Sequence, residues 1–341
     1  MASLRRSTVS CVPRNGVPLK SMSHPNTTAS PSFRPGAAVV VRSVGERTEA
    51  LCSELVSAQG IAEGHIAVIR EAPFARALQA SYEAGIRMGC EWTLCVDADV
   101  LLFSDAIPRM LRLAQRQKPS VFELNWRVLD KFFGGPRPAG LHLYRTALLV
   151  EALRCIPQEH AIRPESSVFE AMQDQGFPWL QMKDTLGLHG FEQYYRDIFR
   201  TCFVHAHKHP QYAELFLSHW RAGRTKDRDY DVALKGFLAG IEYDGEVVID
   251  SQNEIILRGF ERLQIAEKPP LRPGELSGSD VGQLVSAWKV PADFYKYYRR
   301  PVGQALSLRF KELGLLKLLP FAVGSALERT GVWLRTLARP K

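Results

Sequence analysis

Two aspartates separated by one residue, Asp97 and Asp99, lie inside the apolar segment Trp92 to Asp105. The apolar runs Thr93 to Val96 and Val100 to Phe103 predict one buried strand interrupted by carboxylates. Because side chains alternate along an extended backbone, both carboxylates are expected to point the same way and to share one cation. Oxygen ligands suit Mg²⁺ or Mn²⁺, and these ions suit diphosphates. The alternative is a solvated pair of acids in a loop, which would avoid the cost of desolvation.

The Asp-x-Asp motif and the two strand-and-helix patterns before it resemble the nucleotide-sugar-dependent glycosyltransferases of the GT-A fold. The resemblance implies that Asp97 and Asp99 hold a metal ion and that Asp97 also contacts the diphosphate of the sugar nucleotide. Haloacid-dehalogenase-like phosphatases use the same tripeptide with the leading aspartate as nucleophile, but they place it on the first strand. Ninety-six residues precede Asp97 here, which favours the transferase and leaves the phosphatase as an alternative.

The segment that opens the sheet supplies three further candidates. The run from Ala37 to Val41 predicts a first buried strand, followed by a turn at 42–45 and a helix over 46–58. In GT-A enzymes the end of the first strand and the following loop receive the base and ribose of the nucleotide. The resemblance therefore implies nucleotide contacts for Arg42, Ser43 and Arg47, whereas an Arg47 that faces solvent is the alternative.

A candidate for the catalytic base comes from residues 163–181, RPESSVFEAMQDQGFPWLQ. This segment resembles inverting family-2-like enzymes, in which an acid that opens a helix deprotonates the acceptor hydroxyl. Glu165 matches that place, although the chain has Glu-Ser where the family has Glu-Asp. A helix N-terminus favours the charged carboxylate, so a base here needs partial burial to compensate. An acid that only supports the helix dipole is the alternative.

Histidines provide the last candidates for ligands. Several GT-A enzymes complete the metal site with a histidine after the acceptor-side helix, and His189 occupies that place; the alternative is a buried core histidine. His205, His207 and His209 alternate, so on a strand they would share a face and could hold Zn²⁺. The pattern of residues 192–203 instead predicts a helix, on which such neighbours diverge.

The elements that must position these residues follow an α/β pattern, and the resemblance implies a GT-A-like wound mixed sheet flanked by helices, with a helical C-terminal extension. We expect a disordered basic tail at 1–35, a catalytic domain at 36–265, a linker at 266–280 and helices at 281–341. Inside the catalytic domain the patterns predict strands at 65–70, 121–129, 141–145 and 246–249, and helices at 74–88, 106–117 and 146–153, with two more between 211 and 241.

Composition restricts the class of protein. The chain has 341 residues and 45% hydrophobic content, enough for a large core. Six cysteines without a CxxC pair indicate reduced thiols and a cytoplasmic protein. The N-terminus lacks the apolar core of a secretory signal, and no run of eighteen apolar residues predicts a membrane span. A transit peptide would share the Arg and Ser bias of residues 1–35, but no amphipathic helix is evident beyond residues 4–9.

Charge is distributed unevenly along the chain. The net charge is +8, with +6 in residues 1–42 and +7 in residues 271–341, where twelve Lys and Arg oppose five acids. The remaining centre is acidic, which argues against binding to nucleic acid. Basic termini suit peripheral contact with an anionic membrane surface, especially beside the leucine-rich helical pattern after residue 306. Solvated tails, or helices that pack back onto the catalytic domain, are the alternatives.

These observations and the resemblance together predict a metal-dependent glycosyltransferase. Such an enzyme moves a sugar from a nucleotide diphosphate sugar to a hydroxyl acceptor, such as a cell-surface glycan or a lipid-linked acceptor. Mn²⁺ or Mg²⁺ would be held by Asp97, Asp99 and His189, and Glu165 would be the base if the reaction inverts the anomeric centre. The alternatives are a phosphatase with Asp97 as nucleophile, and a non-catalytic sugar-nucleotide-binding or scaffold protein of the same fold.

Overall fold

The computed structural model describes residues 33–298, apart from 158–160, 162, 248, 251–252, 273 and 293. The described chain is an α/β fold, one mixed seven-stranded sheet flanked by helices, which confirms the predicted class. The strands are β1 (Arg34–Arg42), β2 (Ile66–Ile69), β3 (Cys90–Asp97), β4 (Val100–Leu102), β5 (Glu123–Asp130), β6 (Gly135–Arg145) and β7 (Trp179–His189). The helices are α1 (Glu49–Ser57), α2 (Phe74–Met88), α3 (Ala106–Ala114), α4 (Leu149–Arg154), α5 (Pro164–Asp174), α6 (Tyr195–Lys208), α7 (Ala213–Gly223), α8 (Arg228–Glu242), α9 (Glu254–Glu261), α10 (Gly278–Ala287) and α11 (Phe294–Tyr298).

The strands lie side by side in the order β2-β1-β3-β6-β5-β7-β4. Parallel pairing joins β1 to β2 and β3, and β5 to β7, whereas β6 runs antiparallel to both β3 and β5. The far edge strand, β4, pairs antiparallel with β7. This mixed sheet with flanking helices is consistent with the GT-A-like fold that the motif implies.

The strand that contains Asp97 ends there, and a turn separates it from the strand that follows Asp99. This corrects the prediction of one buried strand that includes both aspartates. β3 ends at Asp97 and β4 begins at Val100, and the two strands lie in different parts of the sheet. Hydrogen bonds from other elements hold the turn: Ala98 N donates to Arg42 O, and Thr48 Oγ1 donates to Ala98 O. A backbone carbonyl and a side-chain hydroxyl from elsewhere in the chain therefore stabilise a turn that has no Gly, Pro or Asn to mark it in the sequence.

Both faces of the sheet are buried. In β1, Val39 and Val41 belong to the core beneath α1, α3 and α10, whereas Val40 belongs to the core beneath α2, α4 and α5. Alternate residues of β3 divide in the same way, as expected when helices cover both faces of a strand. A third group of buried apolar side chains lies among α6, α7, α8 and α9. The sheet is thus a rigid support for residues at its strand ends.

Two further predicted elements differ from the structure. β6 begins at Gly135 rather than Leu141; Pro136 and Pro138 fit because this part of β6 pairs with β5 alone, which leaves their missing N–H groups without cost. Among the described residues of 246–249 there is no strand; Ile249 O instead accepts a hydrogen bond from Phe74 N at the start of α2.

The described end of the chain packs against the sheet through α10. Val281 is fully buried in the core beneath α1, and Trp288 Nε1 donates to Gly134 O at 3.2 Å. The division into domain, linker and extension stays a prediction, because residues 299–341 and the tail 1–32 lie outside the described residues. Among the described helices, none has the length and apolar character needed to cross a membrane.

Candidate active site

A cavity of about 600 Å³ opens where the strands β1, β3 and β7 end. The first residues of α5 and the last residues of α6 form its opposite wall. Six of the seven residues that the sequence singled out line this one cavity, namely Arg42, Ser43, Asp97, Asp99, Glu165 and His189. The fold thus brings together side chains that are up to 147 positions apart in the chain.

Arg42 connects the motif to the predicted base. β1 and β3 are paired in register with Arg42 opposite Asp97, so both side chains leave neighbouring strand ends. Arg42 Nε donates to Asp97 Oδ1 at 2.7 Å, and Arg42 Nη1 donates to Glu165 Oε1 at 2.9 Å. Burial lowers the pKa of Arg42, but the charges of Asp97 and Glu165 outweigh it and raise that pKa well above its usual value. The guanidinium is therefore a permanent cation at the centre of the site.

Glu165 is held by three partners at once. Besides Arg42, Tyr144 donates its hydroxyl to Glu165 Oε1 at 2.6 Å, and His142 Nε2 lies 3.2 Å from Oε2. Burial raises the pKa of Glu165, but the charges of His142 and Arg42 and the Tyr144 hydrogen bond lower it to about 2. Glu165 is consequently ionised at neutral pH. Its place in the first turn of α5 matches the prediction that an acid opens this helix.

A second carboxylate lies behind His142. Glu123 is fully buried in β5, and its Oε1 lies 2.9 Å from His142 Nδ1 on the adjacent strand β6. Burial raises the pKa of Glu123 to about 7, although the hydrogen bond and charge of His142 act in the opposite direction. For His142, burial lowers the pKa, but Glu165 and Glu123 outweigh it and raise the pKa. The imidazole thus lies between two carboxylates that titrate very differently.

The second aspartate of the motif faces a histidine. Val100 is paired with His189 in the β4–β7 ladder, and Gly190 N donates to Asp99 O, which fixes the two chains beside each other. His189 Nε2 lies 3.4 Å from Asp99 Oδ2, and its Nδ1 lies 2.8 Å from Asp130 Oδ2. A carboxylate on Nδ1 leaves Nε2 turned toward Asp99, an arrangement common around metal-binding histidines.

Asp99 carries the clearest sign of a missing partner. Its Oδ1 is buried and makes no hydrogen bond with the residues that the structure describes. Burial raises the pKa of Asp99 to about 6, against the opposing charge of His189. A cation would satisfy this oxygen. No group of three or more His, Cys, Asp or Glu side chains in the described part of the chain is nevertheless arranged to hold a metal ion.

A glycine makes room for the first aspartate. Gly140 in β6 has φ +57°, and a Cβ at this position would lie 2.7 Å from Asp97 Oδ2 and 2.9 Å from Val100 Cγ2. Both the left-handed backbone and the close approach require glycine here. The backbone of β6 can therefore approach Asp97 closely at this position.

The other two predicted nucleotide contacts differ in their surroundings. Ser43 lines the cavity, and its hydroxyl lies within hydrogen-bond distance of the carboxylates of both Glu46 and Glu49, one of which accepts its proton. Arg47 lies outside the cavity lining; its Nη1 donates to Glu192 Oε2 at 2.6 Å and its Nε to Pro269 O at 2.7 Å. These contacts tie α1 to the chain after β7, which is a structural role for Arg47.

The three alternating histidines do not share a face. His205 and His207 belong to α6, which ends at Lys208, and His209 follows it, so the predicted helix is confirmed. His205 and His209 line the cavity and pack against the ring of Phe133. Burial is the main cause that lowers the pKa of both, so they are neutral at neutral pH.

Several residues of the site carried no signal that the sequence reasoning used. They are Glu123, Arg137, His142, Tyr144, Arg163 and Lys208. Arg137 donates from Nε to Asp130 Oδ2 at 2.7 Å and so supports the carboxylate beside His189. The alternation of Glu123 and Asn125 on β5, and of His142 and Tyr144 on β6, is the pattern that could have indicated a polar face.

Comparison with known proteins gives distant structural likenesses, and two of these are a glycosyltransferase and a nucleotide-sugar synthetase. No protein-family model and no curated protein matches the chain. A glycosyltransferase involved in glycosylation of the major capsid of PBCV-1 aligns with a TM-score of 0.34 and 14% identity, over 46% of this chain and 95% of that one. A CMP:2-keto-3-deoxy-manno-octonic acid synthetase complexed with CTP aligns with a TM-score of 0.30 and 10% identity, over 45% and 91%. Likenesses at these scores say nothing about the reaction.

Proposed function

We propose that this chain is a glycosyltransferase that moves a sugar from a nucleotide diphosphate sugar to a hydroxyl acceptor. The observation that carries the proposal is the shared guanidinium of Arg42, which joins Asp97 of the Asp-x-Asp motif to Glu165 within one cavity. The motif is the donor side of the site and Glu165 is the acceptor side. Transfer of a sugar from a donor at the motif to an acceptor at Glu165 requires that both substrates lie in one cavity, and the two sides share one cavity here.

On the donor side, the proposal includes a divalent cation of the Mg²⁺ or Mn²⁺ type. Asp97 and Asp99 offer oxygen ligands, His189 offers Nε2, and the unsatisfied Oδ1 of Asp99 fits a cation that would complete its partners. When bound, such an ion would supply positive charge to the departing diphosphate. Arg42 adds a fixed positive charge next to Asp97, and it acts whether or not the ion is bound.

The nucleotide would lie beyond Arg42, between the first strand end and the start of α2. Ser43 and Phe74 line this part of the cavity, and the guanidinium of Arg42 lies 4.9 Å from the centroid of the Phe74 ring. The proton of the Ser43 hydroxyl is directed to the carboxylates of Glu46 and Glu49, so toward a ribose this oxygen would act as an acceptor. Arg47 is left out of this proposal, since its contacts with Glu192 and Pro269 hold it outside the cavity.

Glu165 acts as the base if the reaction inverts. The bond between the anomeric carbon and the diphosphate oxygen breaks, its electron pair leaves with the diphosphate, and the acceptor oxygen bonds to the anomeric carbon. The hydroxyl proton then moves to Glu165. A carboxylate with a pKa of about 2 is a weak base, but a hydroxyl oxygen that has gained a third bond is strongly acidic. Proton transfer therefore follows formation of the new bond.

Peripheral membrane contact remains a prediction. It depends on the basic residues of the C-terminal extension, most of which lie outside the described residues. A lipid-linked or surface acceptor would suit that location, but the cavity itself is the basis of the proposed chemistry.

The proposal is tested by calorimetry with a panel of nucleoside diphosphates, with and without Mn²⁺ or Mg²⁺. We expect one nucleotide to bind the wild type in a metal-dependent way, and Asp99→Asn to remove the metal dependence while the protein stays folded. Asp105→Asn, an exposed acid six residues later, is the matched control and should bind as the wild type does. If the wild type binds no nucleotide, the result contradicts the transferase and favours a scaffold protein. If the wild type hydrolyses a phosphomonoester and Asp97→Asn does not, the result identifies a phosphatase.

A further inference from the structure

Five aromatic side chains form one wall of the cavity, and the article's site residues so far include none of their rings as a ligand contact. They come from separate parts of the chain: Phe133 from the turn between β5 and β6, His205 and His209 from the C-terminal end of α6, Tyr212 from the segment between α6 and α7, and Tyr298 from the end of α11. These five residues are called the aromatic wall below.

Phe133 lies at the centre of the aromatic wall. Its ring centroid is 5.4 Å from those of His205 and His209, 5.6 Å from that of Tyr212 and 6.3 Å from that of Tyr298. All four rings meet the Phe133 ring edge-on, at angles between 70° and 88°. Edge-to-face contacts of this kind are favourable. The buried Phe133 therefore fixes the orientation of the four rings around it.

Three rings of the wall keep part of their surface uncovered. Phe133 and His205 are buried, whereas His209, Tyr212 and Tyr298 are half-buried and line the cavity. Tyr212 and Tyr298 stack on each other, with centroids 5.5 Å apart and planes 17° apart. Apolar ring surface that stays uncovered beside a cavity is stabilised when a ligand covers it.

Tyr298 is a fixed part of the wall because α11 is anchored beside it. Phe294, one turn earlier in α11, is fully buried and stacks on Tyr298 with centroids 4.8 Å apart. Gly135 at the start of β6 makes room for this anchor, since a Cβ there would lie 2.7 Å from the Phe294 ring. The C-terminal segment thus reaches the cavity through a packed contact.

The wall also offers neutral polar atoms. His205 Nδ1 is buried and makes no hydrogen bond with the residues that the structure describes. Burial lowers the pKa of His205 and His209 and raises the pKa of Tyr298 to about 12, so these side chains are uncharged at neutral pH. A neutral imidazole nitrogen either donates or accepts a hydrogen bond, and a ligand hydroxyl can meet it in both cases.

Short contacts connect the wall to the second aspartate of the motif. Phe133 N donates to Asp130 Oδ1 at 2.9 Å. Asp130 Oδ2 in turn lies 2.8 Å from His189 Nδ1, and His189 Nε2 lies 3.4 Å from Asp99 Oδ2. His205 and Asp99 also line a second, smaller cavity together. The aromatic wall therefore lies next to the residues that face the predicted cation.

We propose that the aromatic wall is a subsite for a sugar ring, and that Tyr298 brings the C-terminal segment into substrate binding. A pyranose has C–H faces that pack on aromatic rings and hydroxyls at its rim that bond to neutral polar atoms. Because the wall is connected to Asp99, the ring is assigned to the sugar of the donor. That assignment rests on the proposed function, whereas the subsite rests on the rings and the cavity.

The test uses the full chain and needs no nucleotide. The probes are methyl pyranosides of glucose, mannose and N-acetylglucosamine, and glycerol is the control ligand because it has hydroxyls but no ring. Saturation-transfer NMR, with saturation of the aromatic protons of the protein, detects a sugar that contacts the rings. We expect at least one pyranoside, but not glycerol, to bind the wild type.

Substitutions of Tyr298 separate its ring from its hydroxyl. Tyr298→Ala should weaken pyranoside binding at least about fivefold, whereas Tyr298→Phe keeps the ring and should stay within about threefold. Tyr243→Ala, at a half-buried tyrosine outside the cavity lining, is the matched control and should bind as the wild type does. Tyr212→Leu replaces Tyr298→Ala as the test if the latter does not fold, with the same expected loss.

The remaining outcomes separate the subsite from the proposed function. No pyranoside binding by the wild type, or equal binding after loss of the Tyr298 or Tyr212 ring, overturns the subsite, while metal-dependent nucleotide binding leaves the transferase standing. Tyr298-dependent pyranoside binding without any nucleotide binding supports the subsite and contradicts the proposed function.

Competition with a nucleotide sugar identifies the source of the ring. The competitors are UDP-glucose, UDP-N-acetylglucosamine and GDP-mannose, each at saturation. We expect the one that binds the wild type to displace the pyranoside, because the sugar of the donor then occupies the wall. Continued pyranoside binding beside the bound nucleotide sugar would overturn the donor assignment and give the wall to a sugar acceptor.

Discussion

Arg42 and Asp97 stand opposite each other in the parallel ladder of β1 and β3, and a 2.7 Å hydrogen bond from Nε to Oδ1 joins their side chains. The backbone register thus positions the guanidinium before any ligand arrives. The Arg42 side chain is only 3% exposed and that of Asp97 is 30% exposed, so the cation is buried while the carboxylate reaches the cavity. This relationship makes the motif part of a fixed charge network.

Loss of the guanidinium should destabilise the protein strongly. Arg42→Met keeps the aliphatic stem but leaves the carboxylates of Asp97 and Glu165 without their cation. Removing one partner of a buried ion pair costs about 3–5 kcal/mol. We expect a loss of that order in the free energy of unfolding, measured by urea denaturation. Arg70→Met, which removes an exposed partner of Glu49, should change it little. Equal losses of unfolding free energy in both variants would show that the buried ion pairs of Arg42 stabilise the fold no more than the exposed ion pair of Arg70 does.

Glu165 should affect the rate and not donor binding. In Glu165→Gln the amide still accepts hydrogen bonds from Arg42 and Tyr144 but can no longer take a proton. We expect turnover of the sugar nucleotide to fall about 10²–10⁴-fold, with the dissociation constant of the nucleoside diphosphate nearly unchanged. Asp174→Asn, an exposed acid at the other end of the same helix and outside the cavity lining, is the matched control. A parallel loss of donor affinity would reassign Glu165 to a structural role.

Substitution of Gly140 by any residue with a side chain should destabilise the protein. Alanine at this position adopts a left-handed backbone at a cost of about 1–2 kcal/mol and also collides with Asp97 Oδ2. Gly89→Ala is the matched control, because Gly89 has φ +68° with nothing within 4 Å of the added Cβ. We expect Gly140→Ala to lose about 1–3 kcal/mol more than the control in urea denaturation, and to weaken nucleotide binding. Equal losses would mean that Asp97 moves aside freely.

Glu123 should make stability depend on pH. Burial raises its folded-state pKa from 4.5 to about 7, so the folded protein holds this proton more tightly than the unfolded chain. The resulting stabilisation is complete below pH 4.5 and is lost as pH rises through about 7. Glu123→Gln removes this dependence, so the difference in unfolding free energy between wild type and variant should change across this window. Thermal denaturation at several pH values measures it, and a constant difference would contradict the burial argument.

Much of the sheet was predictable because its strands and helices have simple local patterns. The apolar face of residues 74–88 predicted α2 with the bounds that the structure shows, and the acid-opened helix at Glu165 was also found. The turn between Asp97 and Asp99 was not predictable, because Thr48 and Arg42 stabilise it from elsewhere in the chain. Local patterns do not contain contacts of that kind.

The site was predictable only in part, for a related reason. Asp97, Asp99, Glu165 and His189 were selected from a motif or a family resemblance, and the fold places all four in one cavity. Glu123 and His142 were not selected, because a charged residue within a strand pattern does not show that it will pair with another one 19 positions away. The partners of a charged group are set by tertiary packing, and they decide whether that charge is balanced or available to a ligand.

The separation of β3 from β4 in the sheet bears on how the protein assembles during synthesis. β3 pairs with β1, which is already made, whereas β4 finds its partner only in β7, whose last residue is His189. Closing that long loop costs chain entropy, so the two aspartates, neighbours in sequence, are expected to reach their final positions at different times. A nascent chain can align Arg42 with Asp97 before the imidazole that faces Asp99 exists. Slow hydrogen exchange in β4 and β7 would therefore report a completed site, whereas slow exchange in β1 and β3 reports only a folded sheet.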